Sequence, residues 1–137
     1  MPALAADRTT PKRNANRLSL PVAANAVIYA GALVCVNATG FATKGITSTT
    51  LKVAGVAQQR IDNTGGADGA VRIEVERSGA HLLANSAAGD LVTLAALGAT
   101  VYIVDDQTVA LTSGAGTRSV AGQVVDVDAS GVWVQFS

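Results

Sequence analysis

A single histidine, His81, and a single cysteine, Cys35, bound the chemistry open to this 137-residue chain. One imidazole rules out a histidine-rich metal site and leaves zinc short of ligands. A Ser-His-Asp arrangement is not excluded by counting, but no Gly-x-Ser-x-Gly elbow surrounds any serine. His81 stands in Gly79-Ala80-His81-Leu82-Leu83 with no positioned partner, which predicts a surface or interface imidazole rather than a general base. Asp105-Asp106 and Asp126-x-Asp128 pair carboxylates as calcium sites do. The EF-hand spacing is missing, however, and both pairs fall where turns favour aspartate. Gly114-Ala115-Gly116 lacks the lysine and the strand–loop–helix setting of a phosphate cradle. Glu74 and Glu76 share the solvated face of one strand. Cys35, in Val34-Cys35-Val36, is expected as a buried small hydrophobe and has no partner for an internal disulfide. These residues predict no catalytic centre, no metal and no cofactor.

The elements are those of a β protein. Apolar residues make up 49% of the chain, enough for a core, but valine and alanine dominate and fourteen glycines interrupt them. Such a mixture predicts short strands joined by tight turns. Val27-Ile28-Tyr29 and Leu33-Val34-Cys35-Val36 are apolar runs parted by Ala30-Gly31-Ala32; a turn at Asn37-Ala38-Thr39-Gly40 leads into a return strand from Phe41. Val53 to Ile61 reads as one strand, closed by the glycine-rich turn 62–69. The clearest strand alternates Val71, Ile73 and Val75 with Arg72, Glu74 and Glu76. Further strands are expected at Val101–Val104, Val109–Thr112, Val120–Val127 and Val132–Phe136, with a helical turn conceivable only around Leu91–Leu97. The total is about nine or ten short strands in a sandwich or barrel. Val53-Ala54-Gly55 echoes Val120-Ala121-Gly122, which two matched strands in a small barrel would produce, and chance equally well.

Residues 1–17 read as an extended basic arm and 18–137 as one β-domain. Arg8, Lys12, Arg13 and Arg17 oppose only Asp7, giving the arm +3; six basic and nine acidic groups leave the remainder at −3. The arm has no periodic apolar face, and ordering it alone would cost roughly 1–2 kcal/mol per residue in backbone entropy. It is therefore expected to be disordered in isolation or to order by lying on a partner, with a solvated tail that only improves solubility as the alternative to docking. A zero total charge and the absence of an aromatic in the arm argue against nucleic acid and favour an acidic protein surface. Met1–Leu20 lacks the apolar region of a secretory signal, and Val22–Val36 is too short to span a bilayer, so a soluble protein made in the cytoplasm is expected.

Taken together, the sequence resembles the small capsid cement, or decoration, proteins of tailed bacteriophages. The resemblance lies in the extended N-terminus followed by Val27-Ile28-Tyr29-Ala30-Gly31-Ala32-Leu33-Val34 and Val53-Ala54-Gly55-Val56-Ala57. Ala88-Gly89-Asp90-Leu91-Val92, Gly98-Ala99-Thr100-Val101-Tyr102-Ile103, Val120-Ala121-Gly122-Gln123-Val124 and Gly131-Val132-Trp133-Val134-Gln135-Phe136 complete it. It implies a small jelly-roll-like sandwich or barrel, a homo-oligomer (dimer or trimer), a place on the exterior of the virion, and the major capsid protein as partner. Such proteins bridge neighbouring capsid subunits and perform no chemistry. Within the arm, Arg8, Lys12, Arg13 and Arg17 are the expected capsid contacts. A carbohydrate- or receptor-binding β-module is the alternative, for which Tyr29, Phe41, Tyr102, Trp133 and Phe136 are the available aromatics; most are expected in the core. A hydrolase assembled at a subunit interface would need its acids and hydroxyls from several chains, and no motif supports it.

Overall fold

The computed structural model describes residues 3–136. Its strands are β1 (Arg17–Pro21), β2 (Val27–Ile28), β3 (Leu33–Val36), β4 (Ala42–Lys44), β5 (Lys52–Ala57) and β6 (Ile61–Asp62). After these come β7 (Arg72–Glu76), β8 (Ala80–Leu83), β9 (Thr100–Ile103), β10 (Val109–Ala110), β11 (Val120–Asp128) and β12 (Gly131–Phe136). All pair antiparallel: one sheet in the order β1-β7-β5-β3-β4, a second in the order β10-β9-β11-β12-β8, and a ribbon of β2 and β6. The fold is all-β, as the alternation and turn chemistry predict. Twelve strands replace the expected nine or ten because β2, β6 and β10 are two residues long, too short for a period of two to register. Val53–Ile61 is not one strand: β5 ends at Ala57, and Ile61 has moved to the ribbon beside Ile28. The stretch around Leu91–Leu97 holds one 3₁₀ turn, Leu94–Ala96, preceded by another at Ala88–Asp90.

Local chemistry sets the turns. At 37–41 the Asn37 side-chain oxygen accepts the amides of Thr39 and Phe41, each at 3.0 Å, while Gly40 takes φ 92°. Buried Asn63 orders the glycine-rich turn by donating its side-chain nitrogen to the carbonyls of Ala23 and Ala67.

Packing explains the residue types. On β7, Ile73 and Val75 are fully buried while Arg72 and Glu74 are exposed, and the register sets Leu20 and Leu18 of β1 beside that apolar pair. The inner strands β3 and β5 are buried on both faces. Val34 and Ala54 join Val22, Ile28, Ala42, Ile73 and Val75 in one core. Leu33, Cys35, Leu51 and Val53 face the other way, into a core shared with Val101, Ile103, Ala121, Val124, Val132 and Val134 of the second sheet.

The two sheets repeat one plan. Replacing β1, β3, β4, β5 and β7 by β8, β9, β10, β11 and β12 converts the first strand order into the second, read from its other end. Hydrogen bonds repeat at one constant sequence offset. Gly31 donates to the Ala57 carbonyl as Gly98 does to that of Val124, both at 2.9 Å. Ala57 donates to Ala32 as Val124 does to Ala99. A parallel bridge joins Val22 to Ala42 in one half and Ala84 to Thr108 in the other. The Val-Ala-Gly echo belongs to this duplication: in both halves the ladder slips at the alanine, Ala54 between Val53 and Gly55 and Ala121 between Val120 and Gly122. The glycine then lies against the next strand, where a methyl group would collide with the carbonyl oxygen of Glu76 (Gly55) or Gln135 (Gly122).

Ile73→Ala empties a fully buried site and is expected to lower the unfolding free energy by about 2–5 kcal/mol. Gly122→Ala forces two backbones apart and is expected to cost about 1–3 kcal/mol. Urea denaturation measures both; a Gly122→Ala chain as stable as the parent would contradict the close approach.

Candidate docking surface

Every described residue from Ala3 to Arg17 is exposed, and Ala3–Asn16 contains neither strand nor helix. Among the described residues, Arg8, Lys12 and Arg13 enter no ion pair or side-chain hydrogen bond. Arg13 borders a shallow groove with Arg17, Leu18, Ser19 and Glu74. Arg17 differs from the other three. It is the first residue of β1 rather than the last of an arm, and its guanidinium meets the Glu76 carboxylate at 3.0 Å, directly across the register from it. The body therefore begins one residue earlier than the sequence suggested. The attachment is firm, because the Asn16 carbonyl accepts the Arg77 amide at 2.8 Å. Of the four predicted contact residues, three have no side-chain partner among the described residues and the fourth engages the body.

The other singled-out residues have structural partners. His81 stacks on Phe136, ring centroids 5.1 Å apart, with Nε2 3.2 Å from the Ser78 carbonyl oxygen. Cys35 is fully buried, and burial pushes its thiol up to about 12. Asp105 accepts the Gln107 amide in a turn. Asp128 accepts the Ser130 amide and, through its other oxygen, the Trp133 indole N–H at 3.0 Å. In the loop of Gly114 and Gly116 the Thr117 hydroxyl donates to the Gly114 carbonyl. Among the described residues no three of His, Cys, Asp and Glu gather as metal ligands, and no helix is long and apolar enough to cross a membrane.

Three features were not read from the sequence. Asp90 accepts the Thr112 hydroxyl and pairs with Arg118 at 3.3 Å, tying the loop before β11 to a 3₁₀ turn; residues so far apart leave no spacing signal. Arg60 lies over the ring of Tyr29, 5.2 Å from its centroid. The aromatics are also less buried than expected: only Phe136 is in the core, Tyr29 is exposed, and Phe41, Tyr102 and Trp133 are half-buried. Tyr102 and Trp133 each sit between buried neighbours on their strands and so point to the outer face of the second sheet.

No protein-family model matches the chain, and no curated protein or solved structure is significantly similar to it.

Hydrogen bonds and charges hold four carboxylates below their ordinary range. Asp62 is lowered by Thr64, Glu76 by the Ser78 hydroxyl and then Arg17, Asp90 by the Thr112 hydroxyl and then Arg118, and Asp128 by the Trp133 indole and then the Ser130 amide. A depressed folded-state value means that the stabilisation is complete above the ordinary carboxylate range and is lost as pH falls through the folded value. The melting temperature is accordingly expected to fall as pH drops from about 5 to about 3, the carboxylate window, and to fall less steeply in Asp90→Asn. Calorimetry across that window checks both. Cys35 is expected to resist thiol reagents until urea unfolds the chain, at which point it reacts fully.

Proposed function

We propose that the chain is a structural virion protein, a capsid cement that binds the outside of a tailed-phage shell, bridges neighbouring major capsid subunits and stabilises the DNA-filled head. The observation that carries this reading is the exposed segment Ala3–Asn16, whose cations Arg8, Lys12 and Arg13 have no ion pair or side-chain hydrogen bond among the described residues of the body to which Arg17 and Asn16 anchor it. Without a fold of its own, such a segment gains order only by lying on something else, and its charge selects an acidic protein surface. The body supplies a rigid base at the arm's root. In this reading the protein is not an enzyme. It acts through many copies, each held weakly: on a shell with hundreds of equivalent sites, a two-point attachment by arm and body converts modest affinities into strong retention.

The test uses empty shells of the cognate major capsid protein. Removing residues 1–15, which spares Asn16 and β1, is expected to leave the melting temperature unchanged and to weaken shell binding at least about tenfold, or 1.4 kcal/mol. Replacing Arg8, Lys12 and Arg13 together by alanine is expected to reproduce most of that loss, and raised salt to weaken the parent similarly. Arg17→Ala should lower binding far less, since its guanidinium serves Glu76. Full binding and full heat resistance of particles carrying the shortened chain would defeat the proposal.

A further inference from the structure

We infer that the groove between the Tyr29–Ala32 turn and the Asp106–Gln107 turn is a binding site for a neutral sugar, one or two pyranose rings in size. The inference stands apart from shell binding, since no residue of the basic segment lines this groove.

The site is built where the two halves of the chain meet. Tyr29, Ala30, Gly31 and Ala32 of the first half form one wall, and Asp106 and Gln107 of the second form the other. Backbone hydrogen bonds fix both walls. Leu33 donates its amide to the Asp106 carbonyl at 2.7 Å, Gly31 to that of Ala57 at 2.9 Å, and Ala32 to that of Tyr29 at 3.1 Å. On the far side the Asp105 carboxylate accepts the Gln107 amide at 2.9 Å, and the Gln107 carbonyl accepts the Ala84 amide at 2.7 Å. The groove holds about 320 Å³, at the small end of ligand sites, which favour junctions of this kind. A methyl group placed on Gly31 would meet nothing within 4 Å, so the space over that wall is open.

The side chains that line the groove are idle in the fold. Tyr29 is 56% exposed, and the duplication shows that its ring is not needed for the turn. Ala99 donates to the Ala96 carbonyl as Ala32 does to that of Tyr29, so the second half builds the same turn on an alanine. Arg60 lies over one face of the ring and holds it in place. At that degree of exposure the opposite face is left to solvent. Asp106 is half-buried, yet among the described residues its carboxylate has neither an ion pair nor a hydrogen bond. The exposed side-chain amide of Gln107 is likewise without a partner among them.

These three groups select the ligand class. An aromatic face carries negative charge and attracts the weakly positive C–H bonds on the face of a pyranose ring. A carboxylate accepts from two neighbouring hydroxyls, and a carboxamide both donates to and accepts from others. Charge excludes the other occupants. Asp106 repels an anion, and Arg60, already against the ring, repels a second cation on its far face. A wholly apolar ligand would strand the carboxylate and the amide away from water. A neutral polyol with one apolar face meets every condition.

NMR titration of the isolated, isotope-labelled full chain with glucose, galactose, mannose and N-acetylglucosamine, each to about 50 mM, tests this. At least one sugar is expected to shift the amides of Tyr29–Ala32, Asp106 and Gln107, with a millimolar dissociation constant. Tyr29→Ala is expected to weaken that sugar at least about tenfold with an unchanged melting curve, whereas Tyr29→Phe keeps the ring face and the binding. Asp106→Asn and Gln107→Ala are each expected to weaken it about threefold or more. Choline, a cation of similar size, should shift none of these amides. If Tyr29→Ala does not fold, Gln107→Ala decides, because that side chain is exposed and unpartnered. No response to any of the four sugars overturns the inference, as do shifts confined to other parts of the chain. Binding that survives Tyr29→Ala or Gln107→Ala undiminished, or choline shifting the same amides, also overturns it.

Discussion

The structure depends on two strands that must bury both faces. β3 and β5 lie between two cores, so every residue from Leu33 to Cys35 and from Val53 to Gly55 is withdrawn from water. A strand in that position cannot alternate apolar with polar residues as β7 does, and a bulky side chain on either face would push a sheet away. The small or β-branched residues Val34, Cys35, Val53, Ala54 and Gly55 meet this condition. Cys35 is one more consequence, a small apolar filler whose thiol is kept protonated by the same burial. Beyond these two strands the first sheet extends past its cover. On β1 and β7 one face remains apolar, while the other carries Arg17, Ser19, Arg72 and Glu74 in water.

Double burial creates a problem at the bulges, and one side chain resolves it in the first half. Slipping the ladder at Ala54 leaves backbone groups without their regular partners in a place water does not reach. The Arg77 guanidinium donates to the Val53 and Ala54 carbonyls at 2.8 and 3.1 Å, following directly from the end of β7. Satisfying the bulge from a neighbouring strand lets Gly55 approach Glu76 without stranding a polar group. The cost of leaving such groups unpaired, about 1–3 kcal/mol each, makes that guanidinium part of the fold rather than of the docking surface.

The legibility of the fold followed the physics of each element. β7 was clear because one face is wet, so Ile73 and Val75 alternate with charges. β3 was clear because its apolar run ends in the chemistry of Asn37 and Gly40. The ribbon was not: Val27–Ile28 and Ile61–Asp62 are held by pairing to each other across the fold, and two residues carry no period. The duplication was visible only as a three-residue echo, because the halves keep backbone requirements and not side chains. Gly31 and Gly98 match because both take a positive φ, near 80°. Leu33 and Thr100 differ because only the first is buried. At the proposed docking surface, the charge of Arg8, Lys12 and Arg13 was readable, since exposed cations need no partner to be recognised. The engagement of Arg17 with Glu76 was not readable, since it depends on which strand lies beside β1.

Burial also explains how one plan came to serve two environments. Equivalent positions in the halves share a backbone path, so differences between their side chains report differences in what lies against them. Cys35 is sealed and Tyr102 is half in water; Val53 is sealed and its counterpart Val120 is exposed. On an inner face a tyrosine would need a hydrogen-bond partner for its hydroxyl, whereas on a half-wet face water supplies it. A valine kept at 42% exposure beside that tyrosine gains nothing from solvent, and burying it would recover about 25 cal/mol for each square ångström covered. Such a patch is tolerated in a free monomer as a scattered hydrophobe. The basic segment leaves the body from the other sheet, at β1.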